Sequence, residues 1–293
     1  MARVLVVGIA TLDIINAVDG YPGEDAEVRA STQAMRRGGN ACNTAVVLRQ
    51  LGHECSWAGT LADDANSAII REDLASYAVN MEVVQTVADG CSPTSYVTLN
   101  QRNGSRTIVH YRDLPEYSLE AFQQINLTGF DWLHFEGRNV TQTRAMLDIA
   151  QQQIPLVPCS VEIEKPRRAI ESLCMGAGLL LYSRSYAQSR DVTNHEMSDP
   201  IAFLQTQQQT FPTAEHICSW AERGAWGVNR QGKVLHSPAI DLPRVVDTLG
   251  AGDTFNAAII HAKLAGLPLA DCLRDACLLA GQKCARQGLW GLC

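Results

Sequence analysis

The sequence predicts an α/β protein: a mainly parallel central sheet with helices on both faces, and a small second β-sheet beside it. Three observations carry this. Apolar runs of strand length alternate with helical patterns through most of the chain, as in sheets wound on both sides. One stretch breaks that rhythm with two strand patterns flanking Asn103-Gly104, a hairpin signal. And 293 residues suffice to bury a full core, so residues 1–293 are expected to form one domain carrying the small sheet.

In chain order, Val4–Val7 reads as a buried first strand, and Val18–Met35 as an extended segment turning at Tyr21-Pro22-Gly23. A helix follows over Ala41–Leu51, closed by Gly52, then a strand at Cys55–Gly59 and a helix at Ser67–Tyr77. Pro93–Asn100 and Arg106–Tyr111 form the hairpin. Together with the earlier extended segment, it predicts a lid or dimer sheet from about 16–36 and 92–112. Strands are then expected at Trp132–Glu136, Leu156–Glu162, Leu179–Ser183 and Ile217–Ala221. Helices are expected at Thr141–Gln152, Pro166–Met175, Pro200–Gln209, Thr254–Ala265 and Leu269–Arg286. The helix at Thr254 shows Phe255, Ala258, Ile259 and Ala262 on one face and ends at Gly266. In such a sheet, ligands bind at the carboxyl ends of the strands.

Composition excludes several classes. A net charge of −7 without any basic run gives no footprint for nucleic acid. The apolar N-terminus is too short for a signal peptide, and no stretch reaches the length of a membrane span. The ten cysteines contain no CxxC pair, and Cys218 and Cys277 lie inside apolar segments. Buried reduced thiols in a cytoplasmic protein are expected, with no zinc site.

The most informative motif is Asp247-Thr248-Leu249-Gly250-Ala251-Gly252-Asp253-Thr254-Phe255. Gly250 and Gly252 allow a tight turn whose N–H groups approach a ligand. The helix that follows begins with unpaired N–H groups and a positive dipole end, so phosphate is the natural guest. A carboxylate beside bound phosphate is repelled by it. Asp253 makes chemical sense as the acceptor of a proton from a hydroxyl that attacks that phosphate; taken alone, it also suits an ordinary helix start. A second cluster, Arg36-Arg37-Gly38-Gly39-Asn40-Ala41-Cys42-Asn43, again places glycines ahead of a helix. The neutral amides of Asn40 and Asn43 suit hydroxyl groups better than phosphates, and three residues apart they share a helix face. Asn40 alone would also serve as a helix cap. Asp13, flanked by apolar residues, needs a partner that a polyol would supply, or a turn role. Asp25 could reach the same ligand from the extended segment, although a turn acid exposed to solvent has the same pattern.

The paired boxes Gly38-Gly39-Asn40 and Asp247–Asp253, in this order, resemble the two signatures of the ribokinase-like sugar kinases, the PfkB family, and the resemblance runs from end to end. It is similar in particular to the fructose-phosphorylating branch through Gly104–Ile108, His134–Asn139, Val161–Pro166, Trp220–Glu222 and Pro243–Gly250. The resemblance implies a ribokinase-like three-layer α/β/α fold with a β-sheet lid, and an ATP-dependent kinase acting on a ketohexose hydroxyl, D-fructose giving fructose 1-phosphate. It implies Asp253 as general base, Gly250, Ala251 and Gly252 as anion hole, and Asp13, Asp25, Gly39, Asn40 and Asn43 around the sugar. Arg106 would reach the nucleotide phosphates, and Ala221, Glu222, Arg223 and Gly224 would line the nucleotide pocket. Mg2+ would accompany ATP, K+ near the Asp247 loop is a further expected activator, and a homodimer through the lid sheets would follow. Another acceptor (a different ketose, ribose or a nucleoside) and a non-catalytic sugar or nucleotide sensor stay open as alternatives.

One departure stands out. Where many relatives carry Asn-x-x-Glu to arrange magnesium, this chain has Ser183-Arg184-Ser185-Tyr186. Glu136, Glu162 and Glu164, at expected strand ends, are the substitutes, with surface ion pairing the competing role for Glu164. A nicotinamide-binding site is disfavoured, because Gly8 is followed by Ile9-Ala10-Thr11-Leu12-Asp13 without G-x-G-x-x-G, and Gly176-Ala177-Gly178 precedes a strand. No G-x-x-x-x-G-K-[ST] occurs either.

Overall fold

The computed structural model describes residues 1–190 and 199–292. Its strands are β1 (Arg3–Val7), β2 (Thr11–Val18), β3 (Thr32–Gly38), β4 (Glu54–Ala58), β5 (Thr60–Ala62), β6 (Gln85–Val87), β7 (Cys91–Asn100), β8 (Arg106–Asp113), β9 (Trp132–Glu136), β10 (Cys159–Ile163), β11 (Leu179–Ser183), β12 (Glu215–Ser219), β13 (Ala225–Val228) and β14 (Val234–Ser237). Its helices are α1 (Asn40–Gln50), α2 (Ala65–Ser76), α3 (Leu119–Gln123), α4 (Val140–Gln153), α5 (Arg184–Ser189), α6 (Pro200–Thr210), α7 (Ala251–Leu264) and α8 (Leu269–Cys284).

The central sheet runs β14-β13-β12-β11-β10-β9-β1-β4. It is parallel from β4 to β12 and antiparallel only at β13 and β14. Strand β1 shows why the molecule has three layers. Val4 and Val6 point into a core with α1, α2, α7 and α8. Leu5 and Val7 point the other way, into a core with α4, α6 and Phe122 of α3. A strand buried on both faces reads as a continuous apolar run, which is how Val4–Val7 appears in the sequence. The second sheet runs β3-β2-β7-β8, and β5 and β6 form a separate parallel pair.

The alternating elements fall where expected, with corrections. The extended segment Val18–Met35 is not a strand in its middle: the strands lie at its ends, as β2 and β3, joined by an exposed connection. β2 therefore starts at Thr11 and carries Asp13 into the second sheet, between Arg36 of β3 and Ser95 of β7. The strand expected at Leu156 begins at Cys159, because Leu156 lies 94% exposed in the turn after α4. Ile217–Ala221 moves back to Glu215–Ser219, since the chain turns through Trp220 into a short 3-10 segment at Ala221–Arg223. Pro166–Met175 is not an α-helix: only Ile170–Cys174 winds, as a 3-10 turn entered through Ala169 in the left-handed region. Nine cysteines are free among the described residues, and seven of these are buried.

Candidate active site at the carboxyl ends of the parallel strands

The carboxyl ends of the parallel strands open into a cleft of about 540 Å³. Ile9 beyond β1, Glu136 of β9, Glu162 and Glu164 at the end of β10, Ser183 of β11 and Ser219 of β12 all line it. Ligand sites of open α/β sheets form at this edge because the strand ends and helix starts converge there. The second sheet faces the same space through Asp13, Ser95, Arg106, Ile108 and His110, and the Asp247–Asp253 loop closes another wall.

Gly250 stands at the N-cap of α7 with φ 78°, and the helix starts at Ala251, three residues earlier than the sequence pattern suggests. A left-handed N-cap suits glycine, since a Cβ there is strained. It swings the chain so that α7 begins at the cleft, with Gly250 and Gly252 in its lining. A Cβ on Gly252 would meet nothing within 4 Å, so the helix start is open to a ligand. Asp253 sits in that first turn and is buried, at 6% exposure. Burial, chiefly, pushes its carboxyl up to about 7; the Asn43 hydrogen bond opposes this, and the neighbouring carboxylates of Glu164 and Glu136 add to it. A carboxylate held near neutrality at the start of a helix is suited to take a proton from an alcohol at physiological pH.

Asn43 on α1 donates from Nδ2 to Asp253 Oδ2 at 2.6 Å. Its Oδ1 accepts from Arg37 Nη1 at 2.6 Å, so the amide has only one sensible orientation. Arg37 is in turn held by Asp73, with Nε donating to Oδ1 at 2.5 Å. A chain Asp73–Arg37–Asn43–Asp253 thus leads from α2 to the carboxylate. The residues of this chain missed in the sequence are Arg37 and Asp73; their partnership spans four elements, and no local spacing encodes it.

Gly39 and Asn40 start α1 at the cleft, and Asn40 Nδ2 donates to Glu162 Oε1 at 3.2 Å and Glu164 Oε2 at 3.3 Å. Asn40 is therefore inside the helix and not its cap, which is Gly39. Asp13 is buried, accepts from Thr11 Oγ1 at 2.9 Å, and is raised above the usual carboxylate range chiefly by burial. A methyl on Gly38 would collide with the Asp13 carboxylate, so the glycine pair keeps room for that acid as well as a turn. Arg106 donates from Nη1 to Thr248 Oγ1 at 2.8 Å and lines the cleft.

Some expected site residues lie elsewhere. Asp25 is exposed in the connection between β2 and β3 and does not line the cleft. Ala221, Glu222, Arg223 and Gly224 form the turn just beyond Ser219, outside the lining, where Glu222 pairs with Arg184. Cationic residues unassigned from sequence do line it: Arg138, Lys165, Arg167 and, when protonated, His110. Arg138 and Lys165 sit in the quoted stretches His134–Asn139 and Val161–Pro166, but nothing in their spacing announces a role.

The carboxylates differ in their freedom to meet a metal. Glu136 has both oxygens engaged, Oε2 by the Ile9 N–H at 2.9 Å and Oε1 by Arg138 at 3.5 Å. Glu162 keeps a buried Oε2 with no partner among the described residues, and burial plus Asp253, Glu136 and Glu164 raise its carboxyl well above the usual range. An ionised Glu162 thus calls for a cation or a bridging donor. Ser183, the first residue of the stretch that stands in place of the expected Asn-x-x-Glu, is the cap of α5: its Oγ accepts from Tyr186 N at 3.0 Å and donates to Glu164 O at 2.5 Å. That position has a local structural task here.

Comparison with known proteins agrees with this geometry. The pfkB family carbohydrate kinase model matches residues 1–290. Ketohexokinase of Mus musculus is 40% identical over 299 aligned residues, covering 99% of this chain and 98% of the mouse chain. Among solved structures, ribokinase of Arabidopsis thaliana complexed with ribose and ATP superposes with a TM-score of 0.79 at 20% identity, covering 98% of this chain and 94% of that one. Ribokinase of Cryptococcus neoformans in complex with ADP gives 0.79 at 19%, covering 100% and 96%. Among the described residues no helix is long and apolar enough to cross a membrane. With a helix start opening at the strand ends beside a near-neutral carboxylate, and a family match along nearly its whole length, this chain belongs to the pfkB family of carbohydrate kinases and is an ATP-dependent sugar kinase.

Proposed function

We propose that this kinase transfers the γ-phosphoryl group of ATP to O1 of D-fructose, giving fructose 1-phosphate and ADP. The observation that carries the reading is the junction of Gly250, Ala251, Gly252 and Asp253, which puts phosphate-binding N–H groups and a proton acceptor within one helical turn. The 40% identity to mouse ketohexokinase supports the ketohexose.

In this mechanism Asp253 takes the proton of the attacking hydroxyl, and Asn43 holds the carboxylate in place. The N–H groups at the start of α7 receive the charge that develops on the transferred phosphoryl group, at fixed geometry and without reorganisation. Asp13, Gly39 and Asn40 meet sugar hydroxyls, and Arg106 meets nucleotide phosphates from the second sheet, which acts as a lid. Mg2+ ordinarily takes one or two carboxylates plus substrate phosphates. The unpartnered Oε2 of Glu162 fits that habit, with Glu164 beside it, whereas Glu136 is spent on Ile9 and Arg138. When bound with the nucleotide, the ion neutralises phosphate charge.

A panel of ketoses, aldoses and nucleosides with ATP, followed by 31P and 13C NMR of the product, tests the reading. Fructose should lead in kcat/KM, with phosphate on O1; a ribose or nucleoside preference, or phosphate on another carbon, overturns it. Absence of sugar-dependent ADP formation would favour the sensor reading instead. For Asn40→Ala we expect the fructose KM to rise about tenfold with the ATP KM little changed, because a cleft amide is lost while the phosphate loop is intact. Steady-state kinetics varying each substrate check this.

The second sheet also supports a homodimer. Met35, Ile14, Tyr96 and Val109 form one row across β3, β2, β7 and β8. Met35, Tyr96, Val109 and Tyr111 are 48%, 51%, 65% and 54% exposed, an apolar surface of the kind two copies would cover. Sedimentation should give twice the chain mass for the parent and the single-chain mass for Val109→Asp. A monomeric parent removes the dimer from the reading.

A further inference from the structure

Lys283 carries a charged side chain with 0% exposure in the last turn of α8, and phosphoryl transfer as described above makes no use of it. Its Nζ donates to the backbone carbonyl of Asp247 at 2.8 Å and lies 3.0 Å from Asp247 Oδ2. Asp247 has further partners on both carboxylate oxygens, one within the loop and others on distant segments. Its Oδ1 accepts from Leu249 N at 2.9 Å, its Oδ2 from Gly288 N at 3.0 Å, and Arg36 of β3 stands 3.5 Å from Oδ2. The backbone on the other side is tied down by Val246 N and Asp247 N, both donating to Cys284 O. Three residues further along is Gly250, the left-handed N-cap that aims α7 at the cleft.

A potassium ion at this loop would need those same oxygens. Carbonyl and carboxylate oxygens are the ligands of a hard monovalent cation, and here the carbonyl and one carboxylate oxygen of Asp247 already hold an ammonium. An alkylammonium head carries the same charge as K+ and is close to it in size. The residues therefore do not fit K+ as an added activator in this place.

We propose that Lys283 is a built-in monovalent cation for the phosphate-binding loop, so that phosphoryl transfer by this protein needs no alkali ion. Its ammonium fixes the carbonyl and carboxylate of Asp247, and Asp247 fixes the peptide that runs through Leu249 to Gly250. Lys283 is a positioning residue: it lies behind the loop and touches no reacting atom. Burial lowers its basicity while the Asp247 charge opposes that, and Asp247, which burial alone would raise, is brought below the usual range by the Gly288 N–H and Lys283. The other charged neighbour is Arg36, whose guanidinium faces the carboxylate from β3.

The inference rests on the kinase activity of this site, and its test includes a readout independent of turnover. Sugar-dependent ADP formation by the full chain is measured in choline, sodium and potassium chloride at constant ionic strength. The parent is expected to vary by no more than about twofold among the three salts. Lys283→Ala empties a cation-sized space lined by Asp247 oxygens. Its kcat in choline is expected to fall by about tenfold or more, and potassium should restore much of that loss, sodium less. Thermal melting should show the same pattern: KCl raises the midpoint of Lys283→Ala above its value in choline, and leaves the parent unmoved. A parent stimulated about fivefold or more by potassium overturns the inference, as does full turnover of Lys283→Ala in choline. So does a turnover loss indifferent to every cation, which would mark Lys283 as packing alone. If no sugar yields ADP in any salt, the activity reading fails and the melting comparison still decides the cation question. If Lys283→Ala does not fold, the salt response of the parent decides it.

Discussion

Asp253→Asn should lower kcat by about a hundredfold or more, keep fructose binding measurable, and raise the melting temperature by several degrees at pH 8. The three effects share one cause. The carboxylate is buried beside Glu162, Glu164 and Glu136, and burial lifts it to about 7. Between the ordinary value of 3.8 and about 7 the folded protein binds a proton that the unfolded chain has released. Stability therefore falls as pH rises through that window, and above about 7 the cost of the ionised form is present in full. Asparagine removes the charge, keeps an oxygen for the Asn43 amide, and lifts that cost. It also removes the group assigned to accept the alcohol proton. A variant that loses turnover and stability together would point to a structural role for Asp253; near-normal turnover would dismiss it as the base.

The same lifted carboxyl sets the expected pH profile. Because the base must be ionised to work, kcat/KM for the parent should fall about tenfold per unit as pH drops below about 7, and stay level above it. Asp253→Asn should lose that limb and keep its small residual rate throughout. A level profile down to pH 5 would mean that another group takes the proton.

What could be read in the chain was what local physics encodes. The Gly250–Asp253 turn, the Gly38–Asn40 turn and the apolar runs of β1, β9 and β11 are specified by neighbours in sequence, so their positions followed from spacing. Elements set by distant partners were harder to read. β2 holds its place by pairing with β3 on one side and β7 on the other, so its start at Thr11 is invisible to a pattern that ends at Val7. The expected helix after Pro166 fails because the chain enters the 3-10 turn through a left-handed Ala169, a conformation no propensity favours for alanine. Asp13, Asn40, Asn43, Arg106 and Asp253 all line the one cleft. Asp25 and the Ala221–Gly224 turn stand apart from that lining, and the partnership of Arg37 with Asn43 and of Lys283 with Asp247 needs three dimensions to appear.

Arg37→Met is expected to lower kcat at pH 7 by about tenfold or more and to move the acidic limb of kcat/KM to higher pH. Arg37 acts on the base by two routes. Its Nη1 claims Asn43 Oδ1, which obliges Nδ2 to face Asp253. Its positive charge, 3% exposed in the side chain, also lowers the Asp253 carboxyl against the upward push of burial. Without Arg37 the Asn43 amide is free to turn, the carboxylate loses its steadiest donor, and protonation persists to higher pH. Part of the lost rate should therefore return at pH 9, where even a further-raised carboxyl ionises. Asp73, partly open to solvent at 35%, tolerates the loss of its partner better than a buried acid would, so folding should survive. Asn43→Ala should shift the limb in the same direction, and the double variant should cost less than the sum of the two, because both substitutions cut one chain. A rate lowered equally at every pH, or fully additive losses, would reduce Arg37 to a strut between α2 and β3 and leave Asp253 governed by burial alone.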